Sequence, residues 1–82
     1  MYTAHITIMP HNGLLDPQGK AVLGGLSNLG LTTIQDVRIG KKVTLQIVAA
    51  DAATANTIAK EAAEKLLVNN VMEQYVISIE TN

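Results

Sequence analysis

The chain has 82 residues, a formal net charge of −1 and no cysteine. This length predicts one domain, residues 1–82, because independent cores generally need on the order of 100 residues each. The near-neutral charge argues against a nucleic-acid-binding protein, which would carry a basic surface. Without cysteine, disulfides, thiolate metal sites and cysteine nucleophiles are excluded. No apolar run approaches the roughly 20 residues of a membrane span, so we expect a cytoplasmic protein with no membrane partner.

The apolar residues, 48% of the chain, include no Trp and no Phe, and the only aromatic residues are Tyr2 and Tyr75. Small aliphatic side chains must therefore fill the core, and helices and sheet should pack closely. A domain of this size buries only about 60% of its unfolded surface. We therefore expect self-association.

Alternating apolar and polar residues predict a first strand over residues 2–9. Pro10 and the turn residues after it end this strand. Asp16 is placed to accept hydrogen bonds from the first free amides of a helix, and Pro17 suits the first helical position. Gly30 is placed to end the helix. An apolar face is formed by Val22, Leu26 and Leu29.

Two β-prone runs follow, 33–39 and 43–49, separated by a short connection that begins at Gly40. This pattern predicts a hairpin. The alternative is one long bent strand over 33–49 within a sheet shared by a dimer. Asp51 then begins a second helix, and a final strand contains Tyr75, Ile77 and Ile79. The apolar side of that helix is predicted to be Ala55, Ile58, Ala59, Ala62 and Leu66.

The element order βαββαβ predicts an α+β fold of ferredoxin-like type, an antiparallel sheet with both helices on one face. Residues Tyr2, Ala4, Ile6 and Ile8 should face the helices. The opposite face, which includes Thr3, His5 and Thr7, is mixed in character and can meet water or a partly polar partner.

Catalytic chemistry has little support in the sequence. The two histidines, His5 and His11, have no carboxylate or nucleophile at a telling spacing. Gly13, Gly19 and Lys20 lie near a helix start, where backbone amides can bind phosphate. However, Pro17 removes one donor there, Asp16 places a negative charge at the same end, and P-loop spacing is absent.

Two features have more than one interpretation. Gly24 lies in the middle of the first helix, where glycine costs about 0.8–1.0 kcal/mol relative to alanine. It is either a tolerated cost or a contact with another chain, whereas close approach to the sheet explains Gly25. Asp36 and Arg38 lie two residues apart on one predicted strand, and they form either a surface ion pair or a docking patch.

These residues also carry a family resemblance. The chain resembles the PurS family, small subunits of bacterial-type phosphoribosylformylglycinamidine synthase, over essentially its whole length. The segments that carry the resemblance are GLLDPQGKAV (13–22), LSNLG (26–30), QDVRIGK (35–41) and, more loosely, EKLLVNNVMEQY (64–75).

The resemblance implies a non-catalytic accessory subunit of an ATP-dependent ligase. The family's enzyme converts formylglycinamide ribonucleotide, glutamine and ATP into formylglycinamidine ribonucleotide, glutamate, ADP and phosphate. PurS-like chains self-associate and bridge a PurL-type synthetase and a PurQ-type glutaminase, aiding ammonia transfer. ATP and magnesium bind the synthetase, so no cofactor is expected on this chain. Candidate contact residues are Gly13, Leu15, Asp16, Gln18, Gly19, Gly24, Asp36, Arg38, Gly40 and Lys41.

The main rival is a small-ligand regulatory module of ACT-like type, which can share the βαββαβ order. Stoichiometric binding of an amino acid or nucleotide would favour it. An acyl-phosphate hydrolase of similar topology would need an arginine in the loop after the first strand, and this loop has none. An RNA-binding sheet would need aromatic residues on its open face, where Thr, His and Met stand instead.

Overall fold

The computed structural model describes residues 1–82 as an antiparallel sheet with two helices, which confirms the predicted fold class. β1 lies between β2 and β3 and is antiparallel to both. The elements are, in chain order, β1 (Tyr2–Pro10), α1 (Pro17–Asn28), β2 (Lys41–Ile47), α2 (Ala52–Ala62) and β3 (Glu73–Thr81).

Both helices begin at the predicted residues. The Asp16 carboxylate accepts a hydrogen bond from the Gly19 amide at 3.0 Å, and Pro17 is the first residue of α1. The Asp51 carboxylate accepts one from the Thr54 amide at 2.7 Å. Both aspartates satisfy amides that have no partner inside a helix. Neither α1 nor α2 has the length and hydrophobicity that a membrane span requires.

α2 is followed directly by a π-helical turn, Ala63–Leu67. The Val68 amide donates to the Ala63 carbonyl at 2.9 Å, the spacing that defines this wider turn. On the outer side of this helix, Lys65 Nζ lies 2.7 Å from Glu61 Oε1, four residues earlier in the chain.

The core lies between α2 and one face of the sheet, and it is small. Because β-strand side chains alternate between faces, Ala4, Ile6 and Ile8 point together toward α2, and all three are fully buried. Among fully buried side chains, Ile6 and Ile8 are the largest. The complete buried cluster is Ala4, Ile6, Ile8, Ile47, Ala55, Ala59, Ala63 and Val68. Three of these are alanines of α2 and its π-helical turn, which let the helix approach the sheet closely.

α1 does not cover the sheet, contrary to the expectation that both helices share one face. Its predicted apolar face stays open: Val22 is exposed and Leu29 is 76% exposed. The chain is therefore elongated, 51 × 27 × 14 Å, with a radius of gyration of 16.2 Å. A compact domain of this length would have a radius of about 12 Å. A Cβ added to Gly25 would meet nothing within 4 Å, so close approach to the sheet does not explain that glycine.

The strand expected over 33–39 does not form within the chain, so the order is β1-α1-β2-α2-β3 and there is no hairpin at Gly40. Pairing between β1 and β2 begins only at Ile8 and Lys41. Beyond that point β1 reaches Pro10, and the Arg38 side chain, not a neighbouring strand, binds the Pro10 carbonyl. The segment ahead of β2 therefore has no partner strand in its own chain.

Candidate docking surface

Three loops meet at one end of the strands, where β1 ends and where β2 and β3 begin. They contribute residues 10–16, 35–41 and 69–73, and we call this region the loop end. It contains three surface depressions of about 470, 410 and 390 Å³. All three depressions of the surface lie in this region or beside it at the start of α1.

Asp16 joins two of these loops. One carboxylate oxygen accepts the Gly19 amide at the start of α1, and the other accepts the Ile39 amide at 2.9 Å. The side chain is only 10% exposed. The segments 13–22 and 35–41, which carry the family resemblance, are thus held together by this one carboxylate.

Arg38 completes the connection. Its guanidinium donates to the Pro10 carbonyl at 3.3 Å and to the His11 carbonyl at 2.8 Å. Its Nε lies 3.9 Å from an Asp16 oxygen. The predicted alternative of a surface ion pair with Asp36 is wrong, because Arg38 contacts Asp16 and backbone carbonyls instead. Asp36 remains exposed beside the largest depression.

The electrostatics of Asp16 follow from these contacts. Hydrogen bonds from the Gly19 amide and then the Ile39 amide lower the pKa of the carboxyl below its ordinary value of 3.8, and the positive charge of Arg38 acts in the same direction. Donors that favour the charged form outweigh the opposing effect of burial. Asp16 is therefore ionised when it joins the two loops.

Two glycines, Gly40 in the loop end and Gly19 in the adjoining first turn of α1, are required by close contacts. A Cβ on Gly19 would collide with the Val37 carbonyl oxygen. A Cβ on Gly40 would collide with the Ile8 carbonyl oxygen and with the sulfur of Met9. Backbone segments approach each other here without room for a side chain. These glycines therefore allow the backbone segments to lie in contact, and the Gly19 amide is already bound to the Asp16 carboxylate.

The exposed part of the loop end is apolar with a charged rim. Leu15 is 71% exposed, and Leu14 and Met72 line the same depression beside it. On the rim, Lys41 Nζ lies 3.6 Å from a Glu73 carboxylate oxygen. An apolar centre surrounded by polar groups is typical of protein–protein interfaces.

The structure brings together all the candidate contact residues except Gly24, which lies on the open side of α1. Asp16 and Gly19 are buried within the chain, whereas Leu15, Gln18 and Lys41 are accessible. Sequence reasoning missed Leu14, Pro10, Met72 and Glu73. Met72 and Glu73 lie more than thirty residues along the chain from any predicted contact residue. No local sequence pattern therefore indicates that they lie at the same surface.

The two histidines lie apart and neither belongs to a catalytic arrangement. His5 is on the open face of the sheet, with its Nε2 2.9 Å from a Glu80 oxygen. The backbone carbonyl of His11 accepts from Arg38. No group of three His, Cys, Asp or Glu side chains is close enough to hold a metal ion.

Comparisons with known proteins identify the family of this chain. The family model PurS, described as phosphoribosylformylglycinamidine (FGAM) synthase, matches residues 3–81. The PurS subunit of Bacillus subtilis phosphoribosylformylglycinamidine synthase is 39% identical over 80 residues, covering 98% of this chain and 94% of its own. That of Mycobacterium leprae is 40% identical over 81 residues, covering 99% of both chains.

Solved structures give the same result. The structure of Bacillus subtilis PurS superposes with a TM-score of 0.86 at 38% identity and covers 99% of this chain and all of its own. A chain of the PurLQS structure from Thermotoga maritima superposes with a TM-score of 0.88 at 28% identity, over 96% of both chains. The family model over residues 3–81, and relatives of 39% and 40% identity over nearly the whole chain, show that this chain belongs to the PurS family of phosphoribosylformylglycinamidine synthase subunits.

Proposed function

We propose that this chain is the accessory subunit of a phosphoribosylformylglycinamidine synthase, and that it bridges a PurL-type synthetase and a PurQ-type glutaminase so that ammonia passes between them. The observation that carries the proposal is its likeness, over nearly its whole length, to a chain of the Thermotoga maritima PurLQS structure. The bridging contacts are assigned to the loop end.

The chemistry of the loop end supports a docking role in preference to a catalytic one. The carboxylate of Asp16 and the guanidinium of Arg38 are both engaged within the chain. What the loop end offers outward is Leu15, Met72 and a rim of charge. Such a surface contributes binding energy through its apolar centre and orientation through its rim.

Self-association is the second part of the proposal. The accessible surface of the chain is 5593 Å², whereas a compact monomer of 8.7 kDa would expose about 4,700 Å². The excess is close to the roughly 800 Å² that each partner buries in a standard interface. We assign it to the open face of α1 and to the segment ahead of β2, with a second copy of this chain as the occupant.

The backbone of residues 35–38 favours that occupant. Their amides donate no hydrogen bond within the chain, and their carbonyls accept none. An unpaired β-prone segment is a template for pairing with another strand. Pairing with a second copy would restore the strand that the sequence predicts here, as in the alternative of a dimer-shared sheet over 33–49.

The proposal assigns ATP and magnesium to the synthetase subunit and none to this chain. It also assigns the protein to the cytoplasm, on the cysteine-free composition. The docked assembly, and not the isolated chain, would then carry the ligase activity.

The test is reconstitution of synthase activity from the PurL-type and PurQ-type subunits of the same organism, with and without this chain. Turnover with glutamine should require the chain, and turnover with ammonium as nitrogen donor should not. If neither rate responds, the bridging role is wrong. Stoichiometric binding of an amino acid or a nucleotide to the isolated chain would then favour the ACT-like regulatory module.

A further inference from the structure

Asn12 differs chemically from the other asparagines of the chain because glycine follows it. The amide nitrogen of a following glycine carries no neighbouring side chain that hinders its approach to the asparagine carboxamide. Such a pair can react internally, since the two groups are held at high effective concentration. Whether it does so depends on what restrains the two groups in the fold.

Neither reacting group is held by a hydrogen bond here. Residues 11–14 form a turn closed by the Leu14 amide and the His11 carbonyl at 3.3 Å. Asn12 and Gly13 are both exposed, and the space around Gly13 is empty to 4 Å where a Cβ would stand. The Gly13 amide and the Asn12 side chain form no hydrogen bond within the chain.

The asparagines of the last loop are held in place. The Asn70 side chain donates to the Glu64 carbonyl at 3.1 Å. The Asn69 side-chain oxygen accepts the Val71 amide at 3.1 Å. Each is also followed by a residue larger than glycine. The hydrogen bonds therefore restrain the carboxamide, and the larger side chain hinders the attack of the following backbone nitrogen.

The helical asparagines are protected in a different way. Asn28 ends α1, and the amide of the next residue, Leu29, donates to the Gly25 carbonyl at 3.2 Å. Asn56 lies inside α2, where the following amide belongs to the helical ladder. An amide held in this way would have to break its hydrogen bond before it could attack.

We propose that Asn12 is a site of spontaneous deamidation. The Gly13 backbone nitrogen attacks the Asn12 side-chain carbonyl carbon, forming a C–N bond. The bond from that carbon to the carboxamide nitrogen breaks, and ammonia leaves with the proton from the Gly13 amide. Water then opens the cyclic imide at either carbonyl and gives aspartate or isoaspartate. The reaction consumes one water and needs no oxidant.

The modification changes the loop end directly. Either product adds a negative charge beside His11, whose carbonyl accepts from Arg38. Isoaspartate also adds a methylene to the backbone of the turn that leads to Asp16. The inference rests on the turn alone, so it stands or falls separately from the proposed function.

The test compares the folded full-length chain with the same chain in denaturant during incubation at mildly alkaline pH. Peptide mapping by mass spectrometry gives the rate at each asparagine, and an isoaspartate methyltransferase identifies the branched product. Asn12 should convert at similar rates in the two states, whereas Asn69 and Asn70 should be slowed by at least an order of magnitude on folding.

Asn12→Gln is the control variant, because it keeps a carboxamide but a longer side chain forms the ring poorly. Its folded chain should lose the fast conversion and keep the slow ones. If folded Asn12 is as protected as Asn69 and Asn70, the turn restrains it and the proposal is wrong. The proposal also fails if the fast conversion persists in Asn12→Gln.

Discussion

The Asp16 carboxylate accepts a hydrogen bond from the backbone amide of Ile39, 23 residues away, at 2.9 Å. The same side chain caps α1 through Gly19. One residue therefore sets both the start of the helix and the path of the segment that enters β2. Loss of this carboxylate should release two elements together.

Asp16→Asn should reduce stability at neutral pH and leave it nearly unchanged in acid. The pKa of Asp16 lies below its unfolded value of 3.8. Its stabilisation is therefore present above pH 3.8 and is lost as the pH falls through the folded pKa. Urea unfolding of both proteins at neutral pH and near pH 2 measures the difference. An equal difference at the two pH values would show that charge plays no part.

Gly19→Ala should destabilise the chain by about 1–3 kcal/mol, the usual cost of inserting a methyl group where none fits. The added Cβ meets the Val37 carbonyl oxygen and the Asp16 carboxylate. Denaturant unfolding measures the cost. Gly24→Ala in the same helix is the matched control, and it should not destabilise. Equal stability of the two variants would contradict the close contact described for Gly19.

Gly24→Ala should raise the stability of the isolated chain by about 0.8–1.0 kcal/mol, because alanine is the better helix former and its Cβ meets nothing within 4 Å. Gly25→Ala provides the comparison, since its surroundings are equally open. Analytical ultracentrifugation then shows whether either methyl group weakens self-association. If the Gly24→Ala protein is more stable and still self-associates normally, no other chain packs closely against α1 at residue 24.

Proline at residue 35 or 36 should weaken self-association by roughly tenfold or more, since proline removes an amide donor and clashes with its neighbours. Alternate residues direct their amides to opposite sides of a strand, so one of Gln35→Pro and Asp36→Pro should have the larger effect. Gln35→Ala and Asp36→Ala keep the amides and serve as controls. Sedimentation equilibrium measures the association. Unchanged association in both proline variants would rule out strand pairing.

Leu15→Ser should weaken binding to the synthetase or the glutaminase by roughly tenfold, the usual effect of removing an apolar residue that contributes more than 1 kcal/mol to an interface. The matched control is Val48→Ser. Val48 is 81% exposed but follows the opposite end of β2. Calorimetric titration of each partner gives the affinity. If both variants lose the same affinity for the partner, the loop end is not the specific docking site.

Local chemistry allowed much of the fold to be predicted. Asp16, Pro17 and Asp51 begin helices because short polar side chains and proline satisfy helix starts wherever they occur. Gly30 adopts a φ of +88°, as its place after α1 predicts. Alternation in β1 identified the buried face, with Ala4, Ile6 and Ile8 on it.

The segment 33–39 was predicted wrongly for a physical reason. β-prone residues favour a strand only if a neighbour supplies hydrogen bonds, and the Arg38 side chain binds the carbonyls at the end of β1. The sequence also indicates the apolar face of α1. An apolar face alone does not determine whether the same chain or another chain will cover it. The contact of Arg38 with Asp16 likewise depends on the path of the chain, which local patterns do not determine.

The place of β1 in the middle of the sheet has a consequence for biosynthesis. Tyr2 is paired with both Ile47 and Thr81, so β1 needs neighbours from two segments that follow it at long distances in the sequence. During synthesis, one side of β1 has no neighbouring strand until residues 73–81 have been made, although α2, which covers Ile6 and Ile8, is made earlier. Pairings this distant in sequence close slowly and leave apolar surface open meanwhile. Until then the unpaired edge of β1 can pair with strands of other chains, which makes the unfinished chain prone to aggregation.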